Sequence, residues 1–188
     1  MSTSRLSPVV VAAAQAIHDR TRLTQDFPRP GVLFRDIAPV LGHAESLATV
    51  TAALCELGGP VDLFAALEAR GFLLGAAAAI HAGAGVLPLR KPGKLPGTGT
   101  EELLSQTYDL EYGSTALELR RADVPPGARV MIVDDVLATG GTAAAAIDLI
   151  HRAGGRVTAV VVVLELAALH GRAKIPEGID VRAIVTVD

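Results

Sequence analysis

The sequence predicts an α/β fold, a central mostly parallel sheet flanked by helices. Two observations carry that expectation. Apolar runs of strand length alternate with segments of helical periodicity along most of the chain, the order that builds parallel sheets covered on both faces. Half of the 188 residues are apolar and only 3% are aromatic, so Val, Leu, Ile and Ala must form the core, the composition of strands buried on both sides. The length fits one domain, residues 1–188, with a single core.

Each element follows from local pattern. Ser7 and Pro8 open a helix as N-cap and first-turn residue, and Val9, Val10, Ala13 and Ile17 recur on one face. The same run has the outline of a signal peptide, but it is shorter than a membrane span and the helix is preferred. In DFPRPGVLFRDIAPVLG (26–42), Pro28, Pro30, Gly31 and Pro39 exclude a long regular element and predict a structured loop.

A helix is predicted over 43–57, ended by Gly58-Gly59-Pro60, then a strand over 61–67, a helix over 71–82 and a strand over 85–90. Residues 91–106 are polar and rich in Gly and Pro, longer than usual connections, and predict a lid loop or a disordered segment. Residues 107–112 and 116–120, around Gly113-Ser114, predict a two-stranded ribbon, so that 91–120 forms lid and ribbon together. A strand over 129–135, a helix over 142–153 and strands over 156–165 and 181–187 complete the sheet. Neither an internal repeat nor a linker is visible.

The net charge of -3, with acids and bases interspersed, gives no electrostatic footprint for nucleic acid or an anionic membrane surface. Cys55 is the one cysteine, which excludes an intramolecular disulfide and a thiolate-rich metal site and makes the reducing cytoplasm the expected setting. His18, His43, His81, His151 and His170 lack ligand spacing, so no protein-built zinc site is expected.

The segment VDDVLATGGT (133–142) carries the chemistry. Its acids arrive at the carboxyl end of a buried strand, where open α/β sheets place their ligand crevice. Neighbouring side chains alternate faces, so Asp134 and Asp135 serve different jobs, one reaching a ribose hydroxyl or metal-bound water and the other bracing the loop. Ala138, Thr139, Gly140, Gly141 and Thr142 then enter a helix. The glycines turn backbone N–H groups toward one point, the helix start adds positive potential and the threonines add hydroxyls. These are the parts of a monophosphate cradle without a lysine. Neither a Walker A loop nor a dinucleotide fingerprint occurs.

VDDVLATGGT resembles the phosphoribosyl-pyrophosphate (PRPP) motif of type I phosphoribosyltransferases. FPRPGVLFRDIAPVL, LEARGFLLG, RKPGKLPG, YDLEYG and VVVLELAALHGR are similar, in order and spacing, to segments of the adenine-specific members of that family. The resemblance implies the type I phosphoribosyltransferase fold, with a flexible lid ribbon and a small N-terminal base-binding hood in residues 1–42. It implies transfer of ribose 5-phosphate from PRPP to adenine, giving AMP and pyrophosphate, with magnesium arriving on the PRPP phosphates with few protein ligands, and a homodimer.

It also implies residue roles. Arg70 and Lys91 would meet pyrophosphate, with Arg90 and Lys94 as further cations, and Ala69 stands where the family pattern has serine. Leu33 and Arg35 would offer main-chain contacts to adenine and Phe34 would stack on it. Glu111 would manage the proton of the purine imidazole, and Tyr112 would shield the reaction from water or pack the ribbon. The lid is a few residues longer than the family pattern. Two alternatives stay open: a phosphoribosyltransferase for xanthine or hypoxanthine, and a PRPP-sensing regulatory protein.

Overall fold

The computed structural model describes residues 6–96, 102–109 and 114–188. Glu111 and Tyr112 lie outside them. Helix α1 (Pro8–Arg20) starts as the sequence predicts: the Ser7 hydroxyl accepts from the Val10 N–H at 3.4 Å, Val10, Ala13 and Ile17 are buried, and Val9 packs beside them. Strands β1 (Arg22–Gln25) and β2 (Leu33–Asp36) form an antiparallel pair, and α2 (Ala38–Leu41) and α3 (Ala44–Gly58) follow. Next come β3 (Leu63–Leu67), α4 (Arg70–Ala82), β4 (Gly85–Leu89), the ribbon β5 (Leu103–Asp109) and β6 (Ser114–Arg120), β7 (Arg129–Leu137), α5 (Gly141–Ala153), β8 (Arg156–Leu166) and β9 (Asp180–Val187).

The main sheet has the order β4-β3-β7-β8-β9 and every pairing in it is parallel. Alternation along the strands divides the core. Phe64, Met131, Val133, Val161 and Val163 meet α1, α3 and α4 on one face, and Ala65, Leu67, Ile132, Val160 and Val162 meet α5 and the ribbon on the other. Burying each large aliphatic side chain contributes about 1.5–3 kcal/mol, so the faces are fixed by many small terms rather than by aromatic anchors.

Two expectations change. The segment 26–42 is not merely a loop, because β1 and β2 pair from Arg22↔Asp36 to Gln25↔Leu33, with Pro28, Pro30 and Gly31 confined to their connection. The ribbon begins at Leu103, not at residue 107: Leu103 pairs with Arg120 and Leu104 with Leu119, and Leu104, Leu117 and Leu119 are buried against α5. Residues 103–106 therefore belong to a packed strand, and the lid loop is shorter than the composition suggested. β7 also runs two residues past Asp135, which places both acids inside the strand end.

Candidate active site

The carboxyl ends of β3, β7 and β8 open into a cleft of about 380 Å³. Its walls are Leu67, Ile132, Asp134, Val136 to Gly140, Thr142, Ala143, Val160 and Val162, and Arg29 also lines it. Four of the five residues expected to hold a phosphate, Ala138, Thr139, Gly140 and Thr142, line it, and Gly141 is the first residue of α5. Gly140 adopts a left-handed backbone (φ 79°), and no side chain caps α5. The first-turn N–H groups thus keep no capping acceptor, which leaves donors and positive potential for an anion.

Asp134 and Asp135 part as strand alternation requires. Asp134 is half-buried on the cleft side and its Oδ1 accepts the Asp135 N–H at 2.8 Å. Loss of hydration, followed by the charge of Asp135, pushes its carboxyl well above the usual range. Asp135 faces α4, where its Oδ2 lies 2.9 Å from Arg70 Nη1 in an ion pair, yet accepts no aligned hydrogen bond. Gly71 makes this approach possible, since a Cβ there would stand 2.9 Å from the Val133 carbonyl oxygen and 3.1 Å from Asp134 Oδ1.

Arg70, the first residue of α4, also lies 5.5 Å over the ring of Phe34, which meets Phe27 edge-on at 5.1 Å. Phe34 and Arg35 take opposite faces of β2. Arg35 instead lines a shallow pocket with Ile17, Leu23, Leu164 and Val185, so its guanidinium is not in the main cleft. Leu33 is exposed. β2 pairs with β1 alone among the described residues, and its other edge keeps backbone N–H and C=O groups without a strand partner.

Glu68 ties the remaining cations together. Its Oε2 accepts the Lys91 N–H at 2.8 Å and Arg90 Nε at 3.0 Å, and the Lys91 amide, then the Arg90 side chain, hold its carboxyl below the usual range. Arg90 is thereby committed to Glu68 and to the face of Phe72, at 5.4 Å, while the side chain of Lys91 remains exposed beside the turn that carries Arg70. Ala69, at the N-cap of α4, supplies no side-chain cap.

Three features escaped the sequence reading. Arg29, at the tip of the β1–β2 connection, lines the cleft; its turn is braced by the Gly31 N–H on Asp26 Oδ1 at 2.7 Å. Glu68 pins Lys91. Gly171 packs backbone-on-backbone against Ala138 and Gly140. The segment holding Gly171 was visible as a motif, but its contact joins parts of the chain that periodicity does not connect.

The model of the family described as "Phosphoribosyl transferase domain" matches residues 44–182. Adenine phosphoribosyltransferase from Thermobifida fusca is 54% identical over 164 residues, 86% of this chain and 90% of that protein. The protein of the same name from Clavibacter sepedonicus is 51% identical over 176 residues, covering 94% and 90%. The chain belongs to the adenine phosphoribosyltransferase family. Within that family, the crystal structure from Thermoanaerobacter pseudethanolicus superposes with a TM-score of 0.86 at 43% identity, covering 93% of this chain and 99% of that one. The structure from Saccharomyces cerevisiae, complexed with an imino-altritol bisphosphate and adenine, superposes with a TM-score of 0.84 at 34% identity, covering 93% and 99%.

Proposed function

We propose that this chain transfers the 5-phosphoribosyl group of PRPP to adenine, releasing AMP and pyrophosphate. The observation that carries the reading is the continuity from the uncapped start of α5, through Asp134, to Arg70 lying over Phe34. The cleft offers places for a phosphate and a ribose, and the neighbouring Arg70 and Phe34 offer a cation for a pyrophosphate and a ring for a flat base.

In this reading the α5 turn, Ala138 to Thr142, holds the 5-phosphate through backbone N–H groups and hydroxyls, and Arg29 adds a cation above it. Asp134 accepts from the ribose hydroxyls. The purine stacks on Phe34, with Leu33 and Arg35 giving main-chain contacts from the free edge of β2. Bond formation between the purine nitrogen and the ribose anomeric carbon accompanies loss of pyrophosphate from that carbon. The ribosyl group then resembles an oxocarbenium ion, so catalysis rests on preorganised charge. Arg70 and Lys91 receive the pyrophosphate charge. Glu111 takes the purine imidazole proton, and Tyr112 shields the centre; both are assigned from the family pattern.

Magnesium bound to PRPP would neutralise the leaving pyrophosphate. The Asp134 carboxylate lines the cleft, and Asp135 beside it is held in its ion pair with Arg70. Such a donor set suits a cation that keeps most of its water and arrives with its ligand. Among the described residues no helix is long and apolar enough to cross a membrane, and we assign the enzyme to the cytoplasm, where Cys55 stays reduced.

Turnover of a panel of bases with saturating PRPP and magnesium tests the reading. Adenine should give AMP and pyrophosphate, with hypoxanthine, xanthine and guanine far slower. No AMP from adenine would overturn it.

A further inference from the structure

The phosphate turn is held from behind. A Cβ added to Gly140 would overlap the Gly171 carbonyl, and one added to Gly171 would overlap the Ala138 carbonyl and stand 3.1 Å from the Gly140 nitrogen. The two backbones touch with no side chain between them. Whatever fixes Gly171 therefore fixes the loop that meets the ligand.

Its neighbour Arg172 provides the anchor. Arg172 Nε donates to Glu165 Oε1 and Nη2 to Glu165 Oε2, each at 2.6 Å, and Nη1 donates to the Val181 carbonyl at 2.7 Å. Glu165, near the end of β8, is only 6% exposed, and its Oε2 also accepts from Thr186 Oγ1 at 3.3 Å. Bidentate pairing of this kind fixes angle as well as distance. Arg172 holds the Glu165 carboxyl below its ordinary range. The anchor spans the adjacent strands β8 and β9, and neither Arg172 nor Glu165 lines the cleft.

We infer that the Arg172–Glu165 pair is a positioning device that seats Gly171 against Ala138 and Gly140 and so sets the phosphate turn for ribose 5-phosphate ligands. The inference rests on the proposed transferase reading. Arg172 acts through Gly171, touching no substrate. Lysine at 172 retains the charge but not the fork, and so cannot hold both carboxylate oxygens and the Val181 carbonyl at once.

The test compares the full-length wild type with Arg172→Gln, Arg172→Lys and Gly171→Ala, measuring KM for PRPP and for adenine, kcat, and AMP affinity by calorimetry. Arg172→Gln and Gly171→Ala should each raise the PRPP KM about tenfold and weaken AMP by a similar factor. The adenine KM should move less than about twofold and kcat less than about threefold, the pattern of lost ground-state positioning. Arg172→Lys should fall between wild type and Arg172→Gln. Gly171→Ala keeps the Arg172 and Glu165 side chains and puts its methyl against the Ala138 carbonyl and 3.1 Å from Leu137 Cγ, so it tests the contact with the turn, and Arg172→Lys tests the fork, if Arg172→Gln does not fold. An unchanged PRPP KM in Gly171→Ala, or equal rises in both KM values, overturns the inference. A wild type that makes no AMP overturns the transferase reading instead.

Discussion

Arg70 Nη1 lies 2.9 Å from Asp135 Oδ2 while the same guanidinium covers the ring of Phe34 at 5.5 Å. One side chain thus touches the acid pair of the PRPP motif and the aromatic ring assigned to the base. The two half-sites share a part.

Sharing should appear as coupling. Arg70→Ala leaves Asp135, 7% exposed, with an unpaired buried charge, which costs about 1–3 kcal/mol of stability and should lower kcat/KM for PRPP. Phe34→Leu should raise the adenine KM about tenfold, since stacking and cation–π terms each contribute about 0.5–1.5 kcal/mol. In a double-mutant cycle with Arg70→Lys the two effects should depart from additivity by about 0.5 kcal/mol or more. Strict additivity in PRPP and adenine kinetics would show that the half-sites are independent.

Asp134 trades stability for function. Its carboxyl is raised by burial and by Asp135, so the folded chain binds that proton more tightly than the unfolded chain. Its stabilising contribution is therefore full below the unfolded carboxyl value of about 4 and falls as pH rises through the raised folded value. Asp134→Asn removes this loss. Without ligand it should melt about 2–4 °C above wild type at pH 8, corresponding to about 1 kcal/mol, with the gap closing toward pH 4, while PRPP use falls. A melting temperature below wild type at pH 8 would contradict the assignment.

Ala69 leaves the N-cap of α4 without a side-chain acceptor. Its backbone there is helical (φ -113°, ψ -37°) rather than extended, so a serine would not add a regular capping bond. Ala69→Ser should instead lower the PRPP KM by adding a hydroxyl beside Arg70. Initial rates at varied PRPP check this, and an unchanged KM would show that the hydroxyl has no partner to meet there.

A dimer, which the family resemblance implies, would have an apolar surface to use. Leu73 and Ile80, on one side of α4, are 59% and 84% exposed, and Val86 on the edge strand β4 is 45% exposed. Such a stripe favours a partner, and we propose a second copy, which would bring the helix of Arg70 to the interface. Light scattering should find a dimer for the wild type and a monomer for Ile80→Lys. A monomeric wild type at micromolar concentration would refute it.

The sequence made the sheet legible because its strands are continuous apolar runs, as in RVMIVDD, and its helices carry firm end signals, as at Ser7-Pro8 and Gly140. Strand alternation made it legible that Asp134 and Asp135 part, but only the packed fold decides that Asp134 meets the cleft and Asp135 meets Arg70. The β1–β2 pair stayed hidden because its strands have four residues each and β1 is exposed throughout, which leaves no alternation to read. The start of β5 stayed hidden because the short Leu103-Leu104 pair is flanked by polar residues, Glu101-Glu102 before it and Ser105-Gln106-Thr107 after it. Arg29, Glu68 and Gly171 act through contacts made only when distant segments meet, and no local period encodes them.

A crystal structure with AMP bound decides where each part of the ligand sits. The phosphate should lie on the N–H groups of Ala138 to Thr142, the ribose hydroxyls at Asp134, and the purine against Phe34 with its edge toward the backbone of Leu33 and Arg35. AMP bound elsewhere, or in this cleft with its purine at the α5 turn and its phosphate at Phe34, would contradict this placement.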